Sequence, residues 1–232
     1  MSKFVSAVIV AAGSSTRMGT ADSKQFIPLL GKPVIEYTLN AFQQSGLVSE
    51  IIVVCREQDY ERIKSLAEES SITKLTSLVA GGDSRAESVK NGIKAVSTNA
   101  EYLAIHDGAR PLISTKEINS VIEKAFETDA ATLGTTVTDT IKVVDSENVI
   151  VSTPSRSTLR AVQTPQVFDR EIYEFALDKA GDDLDSFTDD CSLIENLGVE
   201  IQIVQGSTEN IKLTTPMDII IAESILSRRS KS

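Results

Sequence analysis

The stretch SAVIVAAGSSTRMGTADSKQF, from Ser6 to Phe26, decides the fold because it joins an apolar strand-like run to a loop of small residues. Its first half belongs to the run FVSAVIVAA, whose apolar character is typical of a β-strand. Its second half contains Gly13 and several serines and then presents Arg17 and Lys24. A strand that ends in small residues, with cations close behind, predicts a loop whose backbone N–H groups face an anion.

Two known phosphate-binding motifs are absent from this loop. A Walker A motif needs a second Gly where this chain has Met18, and a dinucleotide fingerprint needs Gly where it has Ser15. Arg17 is suited to grip a phosphate through its planar fork, and Lys24 supplies a mobile point charge. The alternative is a solvated turn whose charges bind nothing.

Strand-like and helix-period segments alternate after this stretch. Strands are predicted at 49–55, 74–80 and 101–107, and helices at 33–45, 56–70, 84–96 and 115–128. Ser84 with Glu87, and Ser114 with Glu117, have the spacing of capping boxes. The alternation predicts a three-layer α/β fold with a mostly parallel sheet and right-handed crossovers.

The pattern changes in the segment 130–168, which is rich in β-branched residues and has a polar turn at Asp145 to Asn148. We predict a β-hairpin arm here, from about Thr138 to Pro154, that projects from the main sheet. An isolated two-stranded ribbon is marginally stable, so the arm favours a homodimer in which two arms embrace.

Helices near 169–179, 189–197 and after Thr215 complete a single domain over 1–232, with no internal repeat and no flexible linker.

Composition and charge limit the partners. The chain is 41% hydrophobic and 24% charged, with a net charge of −10. Such a charge disfavours nucleic acid or an anionic membrane as the main partner, although a small anionic ligand needs only a local basic pocket.

No secretory signal or membrane-spanning run is recognisable, so we expect a cytoplasmic protein. Cys55 and Cys191 are expected to be buried, inert thiols.

The segment AIHDGARP, from Ala104 to Pro111, is expected at a strand end, where ligands of open α/β sheets bind. Asp107 is a candidate ligand for a divalent metal beside phosphates, or else a carboxylate that caps a turn. His106 is the only histidine and suits a packed strand end better than a catalytic base. Arg110 either contacts phosphate or ties the loop to a neighbouring carboxylate.

Three further segments carry candidate side chains. AGGDSRAESV offers consecutive glycines before a helix start, a backbone surface able to read the edge of a flat base. PSRSTLRAVQTPQVF places Arg156 and Arg160 near the arm, as an anion-binding pair or as surface charges. Lys212 is predicted in a strand, where an unpaired ammonium would be costly to bury, so we expect it to face an anion.

Taken together, these segments resemble the sugar-phosphate cytidylyltransferases, and among them the methylerythritol phosphate enzymes of non-mevalonate isoprenoid synthesis. The resemblance covers nearly the whole chain and rests on seven segments in family order: AAGSSTRMG with KQF, GGDSRAESV, HDGARP, VTDTIK, RSTLRAVQTPQVF, TDD and NIKLTTPMD. It implies a Rossmann-like α/β fold with a dimerising β-arm. It also implies that CMP is transferred from CTP to 2-C-methyl-D-erythritol 4-phosphate, with Mg²⁺ present and pyrophosphate released.

The resemblance also implies roles for individual residues. The catalytic cations would be Arg17, Lys24 and Lys212, and Asp107 would lie near the Mg²⁺. CTP would be bound by Ala11, Ala12, Gly13, Gly81, Gly82, Asp83, Ser88, Asp107 and Gly108. The sugar phosphate would be bound by Thr138, Asp139, Arg156, Thr164, Thr188 and Arg110. Arg160 departs from the family pattern, since many relatives carry an aromatic residue there.

Two alternatives remain open at this point. The same chemistry on ribitol 5-phosphate uses a closely similar set of loops, although VTDTIK and the spacing from Arg156 to Leu159 favour methylerythritol phosphate. A nucleotide-binding protein without turnover would keep the fold, but the presence of Arg17, Lys24, Asp107 and Lys212 argues against it.

Overall fold

The computed structural model describes residues 3–13 and 23–231. Within them, the strands are β1 Val5–Val10, β2 Pro28–Leu29, β3 Lys32–Pro33, β4 Glu50–Cys55, β5 Leu75–Ala80, β6 Tyr102–Asp107, β7 Ala130–Thr136, β8 Val143–Val144, β9 Ile150–Ser152, β10 Arg160–Asp169 and β11 Gln202–Gln205. The α-helices are α1 Val34–Gln44, α2 Tyr60–Glu69, α3 Arg85–Ile93, α4 Thr115–Thr128, α5 Arg170–Ala180, α6 Asp190–Glu195 and α7 Pro216–Arg229.

The main sheet has seven strands in the order β11-β7-β10-β6-β1-β4-β5. Strand β10 runs antiparallel to both of its neighbours, and the other pairs are parallel. The prediction of a mostly parallel sheet is therefore confirmed. Val10 at the end of β1 pairs with Asp107 at the end of β6 and with Val54 near the end of β4. The loops that follow these parallel strands consequently meet at one edge of the sheet.

The core has two main layers because successive side chains of a strand point to opposite faces of the sheet. From β1, Ile9 packs in one layer with Phe42 of α1 and Val121 of α4. Val8 packs in the other layer with Val89 of α3 and Tyr173 of α5. Each such buried apolar side chain stabilises the fold by about 1.5–3 kcal/mol, so the strand edge that carries the loops is rigidly supported.

Two helix starts test the predicted capping boxes. Ser114 and Glu117 form the reciprocal capping box expected at α4. The reciprocal box predicted for Ser84 and Glu87 is wrong. The Ser84 hydroxyl accepts from the Glu87 N–H at 3.1 Å, but the Glu87 carboxylate accepts from the Asp83 N–H at 2.7 Å. The Glu87 carboxylate therefore binds the backbone one residue before the N-cap.

The predicted hairpin forms from β8 and β9, which pair antiparallel. Its turn is stabilised by Asp145, whose Oδ1 accepts from the N–H groups of Glu147 and Val149 at 3.0 and 2.9 Å. Apolar side chains on both strands are exposed, with Val151 at 64%. No helix within the described residues is both long and apolar enough to cross a bilayer.

Candidate active site

A cavity of about 530 Å³ opens at the carboxyl edge of the sheet, a volume typical of small-molecule sites. The predicted residues that line it are Ala12, Gly13, Lys24, Gly82, Asp83, Ser88, Asp107 and Lys212. Sequence reasoning missed five others that line it: Val10, Gln25, Ser84, Arg85 and Ala109. Residues from distant parts of the chain, each predicted separately, thus surround one space.

Gly81 brings two of these loops together. A Cβ built at Gly81 would lie 2.3 Å from the Cβ of Ala12, so only glycine permits the loop after β5 to approach the loop after β1. The Gly81 N–H donates to the Cys55 carbonyl at 3.0 Å, and the Gly82 N–H donates to Ser88 Oγ at 3.0 Å. Gly81 does not itself line the cavity but places Ala12 and Gly82 beside each other.

Asp107 is the charged centre of the site. The residue is 7% exposed, and three cations surround its carboxylate. Lys212 Nζ lies 2.8 Å from one oxygen, Arg85 Nε lies 3.3 Å from the other, and Arg110 Nε is 3.7 Å away. Burial by itself would raise the pKa of Asp107, but the attraction of Arg85 and Lys212 outweighs it and holds that pKa well below its usual range. Asp107 is therefore ionised near neutral pH.

Lys212 lies in a segment that is not a strand, so the predicted strand around it is wrong. Ile211, Lys212 and Leu213 alternate between apolar and polar as in a strand. However, within the described chain, the only hydrogen bond in this segment of the kind that pairs strands is from the Leu213 N–H to the Ala109 carbonyl at 2.8 Å. This bond holds the segment against the loop after β6 and places Lys212 on Asp107. The Lys212 side chain is 37% exposed, so it faces both its carboxylate partner and the cavity.

Lys24 begins a single 3₁₀ turn, Lys24–Phe26, in which the Ser23 hydroxyl accepts from the Gln25 N–H. Phe26 anchors this turn in the core, and the Arg62 guanidinium lies 3.7 Å from the centre of its ring. Lys24 is thereby held at the cavity wall. Arg17 lies outside the described residues, so its role stays a prediction.

His106 is fully buried behind Asp107, as expected of a packed strand end. Its Nδ1 lies 3.0 Å from Thr164 Oγ1, and its Nε2 lies 3.4 Å from the Arg110 carbonyl. Burial lowers the pKa of His106 to about 3, so the ring is neutral at physiological pH. The Arg110 carbonyl can only accept, so the proton of the neutral ring is on Nε2, and Nδ1 accepts from the Thr164 hydroxyl, whose oxygen accepts from the Asp107 N–H at 3.1 Å.

Arg85 forms a second ion pair that sequence reasoning missed. Its Nη2 lies 2.8 Å from Asp190 Oδ2, and the Tyr173 hydroxyl donates to Asp190 Oδ1 at 2.6 Å. A signal was present in the sequence, because Arg85 follows directly after the glycine loop and its N-cap residue Ser84. The partner Asp190 could not be identified, because the contact joins α3 to α6 across the fold.

The predicted sugar-phosphate residues lie in three places. Thr138, Asp139 and Arg156 are exposed near the hairpin, and within the described part of the chain they do not line the cavity. Thr188 lines a small adjoining cavity of about 30 Å³ together with Arg85 and Asp190. Arg110 and Thr164 lie behind Asp107, where Arg110 Nη1 donates to the Asn210 carbonyl at 2.7 Å. Arg110 thus ties its loop both to a carboxylate and to the segment that carries Lys212.

Metal-binding and thiol chemistry are limited by the side chains present. Among the residues that the structure describes, no three His, Cys, Asp or Glu side chains form a metal-binding group. Asp83 and Asp107 are the carboxylates that line the cavity within the described part of the chain. Both cysteines are buried, and burial raises the pKa of Cys55 to about 12, so that thiol is unreactive at neutral pH.

A mostly parallel sheet between two layers of helices, with a cation-lined cavity at its carboxyl edge, is typical of nucleotide-binding enzymes with a Rossmann-like fold. The chain belongs to the 2-C-methyl-D-erythritol 4-phosphate cytidylyltransferase family. The family model described as "IspD: 2-C-methyl-D-erythritol 4-phosphate cytidylyltransferase" matches residues 5–228. The resemblance noted from the sequence motifs is therefore confirmed.

Individual relatives agree with this assignment. The chain is 46% identical to the 2-C-methyl-D-erythritol 4-phosphate cytidylyltransferase of Halalkalibacterium halodurans, over 97% of this chain and 98% of that protein. It is 44% identical to the enzyme of the same name from Caldanaerobacter subterraneus, over 96% and 98%. Its fold matches the crystal structure of 4-diphosphocytidyl-2C-methyl-D-erythritol synthase from Anaerococcus prevotii with a TM-score of 0.87 and 32% identity, covering 98% and 100% of the two chains.

Proposed function

We propose that this protein transfers CMP from CTP to 2-C-methyl-D-erythritol 4-phosphate and releases pyrophosphate. The product is 4-diphosphocytidyl-2-C-methyl-D-erythritol, an intermediate of non-mevalonate isoprenoid synthesis. The observation that carries the proposal is the cavity in which Lys24 and Lys212 stand beside a glycine-rich backbone surface, in a chain of this family. We further propose that residues 1–232 act as one nucleotidyltransferase domain.

The transfer begins when a phosphate oxygen of the sugar phosphate attacks the α-phosphorus of CTP in line with the leaving group. A new P–O bond forms, the bond to the β-phosphate oxygen breaks, and pyrophosphate leaves with that electron pair. A phosphate monoester is already a competent nucleophile near neutral pH, so no general base is needed. The buried, neutral His106 fits a reaction that does not use it.

Negative charge is the main obstacle to the transfer, because two anions meet while further negative charge develops on the α-phosphoryl group. Lys24 and Lys212 line the cavity and would neutralise it, and we assign Arg17 the same role from the family resemblance. Because Lys212 is held by Asp107, its charge is oriented before the substrates bind, and the anchored turn holds the backbone of Lys24 at the cavity wall. Such preorganisation lowers the transition-state barrier more than free charges in water would.

The cytosine edge is assigned to the backbone of Ala12 and Gly82 and to the side chains of Asp83 and Ser88, all of which line the cavity. Ala11, Gly13, Gly81 and Gly108 complete the proposed nucleotide site by shaping the loops. The Ala11 N–H donates to the Val54 carbonyl at 2.7 Å, and the Gly108 N–H donates to the Val10 carbonyl at 2.9 Å. These bonds hold both loops at the strand ends and support a rigid base pocket.

Mg²⁺ is proposed to accompany the triphosphate. Asp107 fits this role because it is ionised, lines the cavity and presents oxygen ligands, and Mg²⁺ sites often use one or two carboxylates with phosphates and waters. When bound, the ion supplies further neutralisation of the phosphates. Asp107 would hold the ion while it also pairs with the Lys212 ammonium.

The sugar phosphate is proposed to enter beside Arg110, Thr164 and Thr188. Thr138, Asp139 and Arg156 are assigned to the same substrate from an arm that reaches across a homodimer. Two observations support this arrangement: these three residues lie away from the cavity of their own chain, and the adjacent hairpin exposes apolar side chains. An exposed apolar hairpin gains stability when a partner surface covers it.

The experiment mixes the purified protein with CTP and Mg²⁺, adds methylerythritol phosphate or ribitol 5-phosphate separately, and measures pyrophosphate. We expect release with methylerythritol phosphate and background with ribitol 5-phosphate. Release with ribitol 5-phosphate alone would overturn the substrate assignment. Release with neither substrate would favour a nucleotide-binding protein without turnover.

A further inference from the structure

Arg85 joins two parts of the molecule that meet at the cavity. It is the first residue of α3, and its guanidinium reaches Asp107 at the end of β6 and Asp190 at the start of α6. The Nε–Oδ1 distance to Asp107 is 3.3 Å and the Nη2–Oδ2 distance to Asp190 is 2.8 Å. One planar side chain therefore holds two carboxylates from distant elements.

The Asp190 end of this bridge is fixed by the core. Asp190 is 3% exposed, and its second oxygen accepts from the hydroxyl of Tyr173, which is itself buried and packs against Phe168. Neither Asp190 nor Tyr173 lines the main cavity in the described chain. One end of the guanidinium is consequently held by groups of the protein interior.

The Asp107 end of the bridge reaches the reacting groups. Arg85 holds Oδ1 of Asp107, and the other oxygen holds the Lys212 ammonium at 2.8 Å. Without Arg85, the carboxylate could turn about its terminal torsion, and Lys212 would lose an acceptor of fixed position. A displacement of about 1 Å in such a group can lower turnover by roughly 10².

We propose that Arg85 is a positioning residue for the transfer: by joining Asp190 to Asp107, it fixes the Asp107 carboxylate and, through it, the Lys212 ammonium at the phosphates. This inference rests on the proposed function. A purely architectural role, in which Arg85 only ties α3 to α6, predicts a loss of stability with no specific effect on the chemical step.

The test is a double-mutant cycle of Arg85→Met and Lys212→Met, measured as kcat with CTP and methylerythritol phosphate. Because Arg85 acts through Lys212, we expect Arg85→Met to lower kcat by roughly 10–10² in the wild-type background and by less than about 3-fold in the Lys212→Met background. The KM for CTP should change by less than about 3-fold, since the backbone contacts of the base loop do not use the guanidinium. Equal losses of kcat in both backgrounds, or no loss in either, would overturn the proposal.

Two further variants control for folding. Arg170→Met removes a partly buried arginine that pairs with Glu174 at 2.7 Å away from the cavity, and it should leave kcat unchanged. Arg85→Lys carries the test if Arg85→Met does not fold. A lysine can reach only one of the two carboxylates, so we expect a kcat between those of the wild type and Lys212→Met, and a wild-type kcat would contradict the proposal.

A crystal structure of Arg85→Met gives a readout that needs no activity. We expect the Asp107 carboxylate and Lys212 Nζ to shift together by about 1 Å from their wild-type positions, or to adopt two positions. Unchanged positions of both groups would overturn the positioning role. Absence of turnover in the wild-type protein would instead contradict the proposed function, and the crystallographic result would still decide the role of Arg85.

Discussion

The Lys212 ammonium and the Asp107 carboxylate lie 2.8 Å apart on the wall of the cavity. The hydrogen bond from the Leu213 N–H to the Ala109 carbonyl sets this pair by holding two distant segments together. An ammonium that is already oriented needs little rearrangement to meet a phosphate, which is the condition for electrostatic preorganisation. The ion pair is therefore the part of the site on which we expect transfer to depend most.

Lys24→Met and Lys212→Met should each lower kcat by about 10²–10³, the usual cost of removing one charge-stabilising donor from a transition state. Steady-state measurement of pyrophosphate release checks this, with circular dichroism to show that the variants fold. Lys64→Met removes an exposed lysine of α2 and is the matched control, for which we expect wild-type turnover. Near-normal turnover in either cavity variant would remove that lysine from the mechanism.

His106 should remain neutral across the physiological range, because burial lowers its pKa to about 3. It is the only histidine, so its imidazole protons can be followed by NMR without assignment by mutagenesis. We expect no titration between about pH 8 and 5, although a solvated imidazole titrates near ~6.5. A midpoint close to that value would show that the ring is not desolvated as the structure describes.

The same pKa predicts how stability depends on pH. The unfolded chain binds a proton on His106 below about pH 6.5, whereas the folded protein does not. The neutral, buried His106 therefore contributes fully to the free energy of unfolding above that pH. The contribution is lost progressively as pH falls toward the folded-state pKa of about 3. Urea unfolding should show a steeper decline between about pH 6.5 and 4 in the wild type than in His106→Gln, and parallel curves would contradict this.

Gly81→Ala should weaken CTP binding, since the added Cβ would lie 2.3 Å from that of Ala12 and force the two loops apart. Overpacking typically costs about 1–3 kcal/mol, so we expect the Kd for CTP to rise by roughly 5-fold or more. Titration calorimetry measures it. Gly46→Ala, where no atom lies within 4 Å of the added Cβ, should bind like the wild type. Equal affinities for CTP in the two variants would refute this view of the base pocket.

The hairpin should mediate dimerisation. Val151→Asp places a charge on a side chain that is 64% exposed in the single chain, and burying that charge at an interface would be costly. We expect light scattering after size exclusion to give a dimer for the wild type and a monomer for Val151→Asp. Phe175→Asp, at an exposed position on α5, should remain a dimer. A monomeric wild type, or a dimeric Val151→Asp, would contradict the arm-mediated assembly.

Local patterns predicted the fold well. Alternation of apolar strands with amphipathic helices predicts a mostly parallel sheet. Each helix returns the chain to the side of the sheet where the previous strand began, so the next strand runs parallel to it. The Gly81–Gly82 loop and Asp107 could be located for the same reason, since both follow parallel strands. The strand around Lys212 was predicted wrongly because its alternation is local, whereas strand pairing depends on a neighbour that only the fold supplies.

The Arg85–Asp190 ion pair could not have been found from the sequence. Asp190 sits at a helix start, where the helix dipole alone accounts for a carboxylate, and the residues around Arg85 in the sequence do not indicate its partner. Their pairing depends on the packing of α3 and α6 over one face of the sheet. Long-range charge contacts of this kind carry no local signature.

Transfer of the α-phosphorus of CTP to methylerythritol phosphate is the central claim, and CTP labelled at that phosphorus tests it most directly. After incubation with methylerythritol phosphate and Mg²⁺, we predict that the label appears in a cytidine diphosphate ester of the sugar alcohol and that the released pyrophosphate is unlabelled. Label that stays in CTP or appears in free CMP, with no labelled sugar ester, would contradict the account.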